Sequence, residues 1–329
     1  MEQINRTPYA MEATVILDRE GNETLLVVLK GTFQFDQRAT QLAEQQAPIT
    51  YGDEYHGDPT TTSLRAASDL LPLRPQTGVT LTGHAVCAGG TVGQMNVGIK
   101  VGDLQQIAVV YGDREGFQNV DKPEPFERMP LTWENAYGGF DHSHDKEKHH
   151  DAFQDNPVGR GFFARKSKRA SQSVPLPNVE NPSQTLRSPH DDTSAVGFGP
   201  IPPSWLARRQ YAGTYDQQWE EQRFPLLPLD FDVRFLQAAP PQLTSDGYLE
   251  GKERCVLLGV TEEGRNDFTM DAHAPVVGVR MFKKGVRAHP KLESIHFDCD
   301  QRRYMICWKS MINVQGRVEG LESVEARLR

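Results

Sequence analysis

From Leu29 to Phe35 the chain reads Leu-Lys-Gly-Thr-Phe-Gln-Phe, apolar and polar residues alternating with a period of two. That period belongs to a strand with one face in a core and the other in water. It recurs at 79–87, 93–101 and 106–111, between turns rich in Gly and Asp. No helix of crossover length separates these runs, so antiparallel pairing is expected rather than a parallel sheet. Residues 13–17 and 24–35, either side of Asp18-Arg19-Glu20-Gly21-Asn22-Glu23, predict a hairpin.

From 112 to about 203 prolines and glycines crowd in and neither period persists, which reads as functional or mobile loop, with 139–155 and 166–174 the mobile parts. Two short helices are predicted after it. One spans 202–209, begun by prolines; the other spans 214–222, with Thr214 and Gln217 at capping-box spacing and Pro225 closing it. Strands return at 231–236, 253–260, 266–270, 276–282, 294–298 and 303–308. The fold class is therefore mainly β: antiparallel sandwich or barrel-like sheets, a long irregular middle region and two or three short helices. The parts are 1–111, 112–228 and 229–329, or one continuous domain.

With 329 residues, 37% hydrophobic and 24% charged, the chain can bury a full core. A net charge of -8 without a Lys/Arg block removes the usual affinity for phosphate backbones, so nucleic acid is excluded as a partner. The longest apolar run, 25–29, is too short to span a bilayer, and 1–17 lacks the basic and apolar regions of an export signal. A cytoplasmic protein without membrane insertion is expected. Cys87, Cys255, Cys299 and Cys307 lack paired zinc-ligand spacing and read as free thiols in a reducing compartment; the competing reading is a Cys299–Cys307 bridge across a hairpin.

No Gly-x-Ser-x-Gly turn, His-Glu-x-x-His, phosphate loop or dinucleotide fingerprint occurs. No catalytic residue, cofactor or metal is assigned. Asp141, His142, His144, Asp145, His149 and His150 hold metal-binding groups, but Lys146, Glu147 and Lys148 between them make the stretch a solvated charge run. The carboxylate pairs Asp230/Asp232 and Asp298/Asp300 each lie on one strand face, where a glycosidase would need facing acids; the plainer role is at strand ends and turns. In Asn156-Pro157-Val158-Gly159-Arg160-Gly161, backbone N–H groups and a guanidinium can face one point. Asn156 and Arg160 then either dock a partner's carboxylate or carbonyl, or satisfy carbonyls inside the fold. Trp133, Tyr137, Trp205, Tyr215 and Trp219 share that region as partner anchors or as core.

Several segments in order carry a resemblance. Tyr51-Gly52-Asp53 leads to Leu71-Pro72-Leu73-Arg74-Pro75 and Val79-Thr80-Leu81-Thr82-Gly83-His84-Ala85. Met129-Pro130-Leu131-Thr132-Trp133-Glu134-Asn135-Ala136-Tyr137-Gly138-Gly139 and Asn156-Pro157-Val158-Gly159-Arg160-Gly161-Phe162 follow. Leu176-Pro177-Asn178-Val179-Glu180, Gly197-Phe198-Gly199-Pro200-Ile201, and Gly213-Thr214-Tyr215-Asp216 with Trp219 complete the series. From near residue 5 to near residue 310 the chain resembles the DUF2169 family. The resemblance implies a bacterial type VI secretion adaptor or chaperone, whose partner is an effector protein or a spike-tip (PAAR/VgrG-type) protein. It carries over no catalytic residues, and no role for the histidine-rich stretch. The rival expectation is a hydrolase of carbohydrate or peptide using the acidic pairs.

Overall fold

The computed structural model describes residues 1–141, 151–163, 174–314 and 317–328. The histidine-rich stretch at 142–150 and the basic stretch at 165–173 lie outside these residues. Strand β1 (Glu2–Arg6) leads into the expected hairpin of β2 (Ala10–Leu17) and β3 (Glu23–Phe35), paired from Ala10 with Lys30 to Leu17 with Glu23. The Asp18 carboxylate closes its turn by accepting the N–H groups of Glu20 and Asn22. Next come β4 (Thr40–Leu42), β5 (Glu54–Tyr55), β6 (Leu64–Ala66), β7 (Gly78–Thr82), β8 (His84–Val86), β9 (Gln94–Val101) and β10 (Leu104–Tyr111). The middle holds β11 (Arg128–Pro130), β12 (Tyr137–Gly138), β13 (Arg160–Gly161), β14 (Val179–Glu180) and two helices, α1 (Leu206–Arg209) and α2 (Gln217–Gln222). The last strands are β15 (Arg254–Leu258), β16 (Arg265–Thr269), β17 (Pro275–Met281), β18 (Lys284–Ala288), β19 (Lys291–Asp298), β20 (Arg303–Asn313) and β21 (Leu321–Leu328).

These strands make a mainly β fold with three large sheets. The order is β2-β3-β20-β19-β7 in the largest, with β4 beside β3, then β14-β10-β9-β15-β16 and β1-β21-β17-β18. Within these three sheets pairing is antiparallel except for β7 with β19 and β1 with β21. Strands from the first and second halves of the chain share each of these sheets, so long-range pairing holds the two halves together. One face of β3 serves two cores. Leu25, Val27 and Leu29 pack with Val277, Val279, Val324 and Ala326 of the four-stranded sheet. Phe33 and Phe35 pack with Ile99, Leu257, Phe268 and Phe297 between the six- and five-stranded sheets. That period-two alternation leaves Leu26, Val28, Lys30 and Thr32 on the opposite face, which bears the cleft described below.

Four local expectations change. The run 79–87 breaks at Gly83, whose φ of +138 only glycine takes without strain, and its halves enter different sheets. The segment 231–236 is no strand: Val233–Leu236 is a 3-10 turn capped by the Asp232 carboxylate accepting the Arg234 N–H. Phe231 and Phe235 meet edge to face, a one-turn spacing that a strand cannot give. Helix α2 is capped by Asp216 accepting the Trp219 N–H, while Thr214 gives its N–H and hydroxyl to Asp230. The helix starts at Gln217, so Asp216 holds the cap position three residues ahead of the Trp219 amide and Thr214 lies outside it. Finally, Cys299 and Cys307 belong to cores on opposite faces of the six-stranded sheet, so the hairpin bridge is ruled out; all four thiols are free.

Candidate functional site

The Asn156–Gly161 loop is a crossing of two chain segments. β12 and β13 pair in parallel, and Gly138 and Gly139, both at positive φ, let the segment run against the carbonyls of Asn156 and Gly159; a Cβ at either would land on those oxygens. Asn156 is fully buried and its amide donates to the Trp133 and Tyr137 carbonyls at 2.8 and 3.0 Å. Arg160 donates from Nε to the Glu134 carbonyl at 2.9 Å and from Nη2 to Asn135 Oδ1 at 2.6 Å. Trp133 is buried edge to face against Trp205 and donates to the Gly199 carbonyl. Tyr137 is packed by Phe153 and Phe162. Thus Trp133, Tyr137, Asn156 and Trp205 are buried together with half-buried Arg160 beside them, and the side-chain donors of Trp133, Asn156 and Arg160 go to acceptors of the fold itself. Arg160→Ala is expected to cost about 1–2 kcal/mol in a denaturant titration, since it strips two half-buried acceptors of their donor; unchanged stability would show that the guanidinium is not holding this crossing.

Tyr215 and Trp219 lie elsewhere, on a surface hairpin around α2. Tyr215 is 53% exposed and Phe224 66%. Trp219 joins them edge to face, at ring separations of 4.7 and 5.6 Å. The hairpin is fastened to the β2–β3 turn: Leu226 lies over Gly21, Arg223 donates to the Arg19 carbonyl at 2.7 Å, and Arg19 donates to the Leu229 carbonyl. The Trp219 indole N–H closes on the Leu226 carbonyl at 2.9 Å. Asp216, Glu220 and Glu221 surround the rings with negative charge.

A second feature escaped the sequence reading: a cleft of about 730 Å³ over the other face of the six-stranded sheet. Its floor is the outward row of four neighbouring strands, with Thr80 and Thr82 on β7, Ser294, His296 and Asp298 on β19, Arg303 on β20 and Lys30 on β3. A β-bulge at Glu293 sets this phase, because it keeps Leu292 with Ile295 and Phe297 in the core while Ser294 turns outward. The walls are the 47–69 segment, 130–133, 199–200 and 238–239.

The His296 ring is bracketed by Thr80 Oγ1 on Nδ1 at 2.9 Å and Thr82 Oγ1 on Nε2 at 3.1 Å. Burial, and next the charge of Lys30, push its pKa down to about 4, so the ring is neutral at pH 7 and a weak base. The ions of the cleft are matched in pairs: Lys30 with Asp69 at 2.8 Å, Arg65 with Glu54 at 2.6 Å, and Arg303 with Asp298 at 2.9 Å. Asp300 takes both His84 and Arg128. Ser63 gives its N–H and hydroxyl to Glu134, tying the wall to the Trp133 segment; burial opposes that carboxylate's charge, but the Ser63 donors outweigh it and hold the pKa below the usual range. Of the acidic pairs, Asp298 and Asp300 line this cleft and Asp230 and Asp232 do not. The Thr214 donors lower the pKa of Asp230, and Arg234 that of Asp232, the opposite of what a general acid needs. Among the described residues no three His, Cys, Asp or Glu side chains stand close enough to hold a metal ion, and no helix is long and apolar enough to cross a membrane.

No curated protein and no solved structure matches the chain. The model of one family, described as an uncharacterized protein conserved in bacteria, matches residues 20–309 and so takes in the cleft, the chain crossing and the aromatic hairpin. By that match over most of its length, the chain belongs to the DUF2169 family.

Proposed function

We propose that this protein is a cytoplasmic adaptor that binds a type VI secretion effector, or the spike-tip protein that carries it, and assists loading onto the spike, with no catalytic centre of its own. One observation carries the reading: exposed Tyr215 and Phe224 flank half-buried Trp219 on a hairpin that Arg223 and Arg19 fasten by side-chain donation to backbone carbonyls. Tyr and Trp on a preorganised surface supply contact area at little entropic cost, and such residues dominate binding energy at protein interfaces. The carboxylates around them suit a partner segment that brings apolar side chains together with Lys or Arg. In the double variant Tyr215→Ala/Phe224→Ala, calorimetric titration with a type VI effector that the wild type binds should give affinity weakened more than tenfold, and the absence of such an effector among the products of adjacent genes would count against the reading. Its melting temperature should stay within a few degrees, because both rings stand in water. Wild-type affinity in the double variant would refute the reading.

A hydrolase acting in the cleft is the second reading, favoured by Asp298 and Asp300 on its lining. Against it, both carboxylates already hold cations and His296 is too weak a base at neutral pH to activate a hydroxyl. Turnover on a carbohydrate or peptide panel, abolished by Asp298→Asn, would establish it in place of the adaptor.

A further inference from the structure

We infer that the outer face of the four-stranded sheet is a second docking surface, built for an acidic polypeptide segment. The register of β18, β17, β21 and β1 puts their outward side chains in rows. Arg287, Gly278, Glu325 and Ile4 lie side by side in one, with Gly285, Arg280, Ser323 and Glu2 to one side and Val276, Arg327 and Arg6 to the other. Gly278 and Gly285 contribute no side chain, with open space above Gly285 and only the Glu325 carbonyl, 4.0 Å away, near where a Cβ would stand on Gly278, so the arginines stand around a shallow trough of about 360 Å³. Arg6 is paired with Glu325 at 2.7 Å. Arg280, Arg287 and Arg327 are exposed and, among the described residues, have no ion pair. Three unpaired guanidiniums on one face stand out in a chain of net charge -8.

Basic side chains on an edge strand have a plain use in blocking edge-to-edge aggregation. That accounts for Lys284 and Arg287 on β18, which is an edge, but not for Arg280 and Arg327, which sit on the interior strands β17 and β21. A guanidinium suits bidentate carboxylate contacts. The trough also carries Glu2, and Glu325 held by Arg6, beside the three unpaired arginines, so a uniformly charged polyphosphate laid along it would meet carboxylates as well as guanidiniums. A peptide with separate Asp or Glu side chains can match the arginines and avoid the acids. This face shares no residue with the α2 hairpin, so the inference stands apart from the adaptor reading; if both hold, the protein can bridge two partners.

The test uses the full chain and a fluorescein-labelled peptide of alternating Glu and Ser, with anisotropy read at low and at moderate salt. The triple variant Arg280→Ser/Arg287→Ser/Arg327→Ser should bind at least fivefold more weakly. Arg38→Ser/Lys100→Ser/Lys122→Ser removes equal charge from exposed sites elsewhere and should bind within twofold of wild type. Equal weakening in both variants would reduce the effect to net charge and overturn the inference. So would tighter binding of a labelled oligothymidine, or wild-type self-association that vanishes in the first variant, since the occupant would then be nucleic acid or a second copy. Hydrogen exchange on the wild type guards against a misfolded variant: peptide should protect β17, β18 and β21, and protection confined to other strands would refute the site.

Discussion

Glu293→Ala is expected to destabilise the protein by about 3–5 kcal/mol, among the largest single-residue losses available to it. Its carboxylate is fully buried at the β19 bulge, with Oε1 3.0 Å from Arg74 Nε and Oε2 2.7 Å from Lys309 Nζ, and all three side chains are at most 6% exposed. Lys309 also donates to the Leu71 carbonyl at 3.0 Å. Removing the anion leaves two cations facing each other with almost no access to water, since the Arg74 and Lys309 side chains are only 6% and 1% exposed. The cost is that of stranding the charges and is not the net worth of the cluster. Replacing Arg74, Glu293 and Lys309 together by Met should therefore recover most of the loss, the buried charge having gone with its partner. Equilibrium unfolding in urea at neutral pH measures both variants. A loss below about 1 kcal/mol in the single variant would mean that water reaches the cluster.

The same bulge explains where sequence reading of the fold stopped. Alternation made β3, β9, β10 and β20 legible, and the Asp18–Glu23 turn located the first hairpin. In β19 only 294–298 reads as a strand, because the extra residue at Glu293 inverts the phase and Leu292 then falls out of step with Ile295. Lys30 falls on the polar face of a strand read from its alternation, and Lys309 lies just past the 303–308 run; both are buried, and Asp69 and Glu293, their counter-ions, come from other segments, a pairing no local pattern encodes. The parallel docking of β7 on β19 joins positions more than two hundred residues apart, and the cleft exists only once that pairing is made.

The glycines around Arg160 illustrate the opposite limit. Their conformational freedom was legible, but its use was not. Close approach of two backbones and presentation of a side chain call for the same residues, and only the hydrogen bonds to Glu134 and Asn135 distinguish them. Trp133 and Trp205 are core whereas Tyr215 is surface, although all are large aromatics in loop-rich sequence: Trp133 lies beneath Gly197 and Gly199 with Trp205 edge to face against it, while Tyr215 stands exposed past Gly213. For the cleft there was one readable sign, the polar run Ser294, His296, Asp298 interleaved with Ile295 and Phe297. The alternation marks that polar row as an outer face, and the walls that turn it into a cleft come from segments distant in sequence.

His296 makes that border measurable. Its pKa falls from 6.5 to about 4 in the folded protein, first through burial and then through the charges of Lys30, Arg303 and Arg65, with Asp69 opposing. A histidine with a depressed folded pKa binds its proton more readily when the chain is unfolded. Its contribution to stability is therefore whole above pH 6.5 and is lost as the pH falls toward 4. The difference amounts to about 2 kcal/mol at pH 5 and approaches about 3 kcal/mol at pH 4; the ring keeps some contact with water in the cleft, so these are ceilings. Carboxylates across the molecule titrate in the same window, and comparison with His296→Gln removes them, because glutamine keeps hydrogen-bonding capacity between Thr80 and Thr82 without a titrating group. Urea unfolding of both proteins at pH 7 and pH 5 should give a wild-type loss exceeding that of the variant by about 2 kcal/mol. Parallel losses would mean that His296 takes up a proton in the folded state near its ordinary pKa, and a cleft floor that accepts charge so easily would be open to anionic ligands rather than the neutral surface described above.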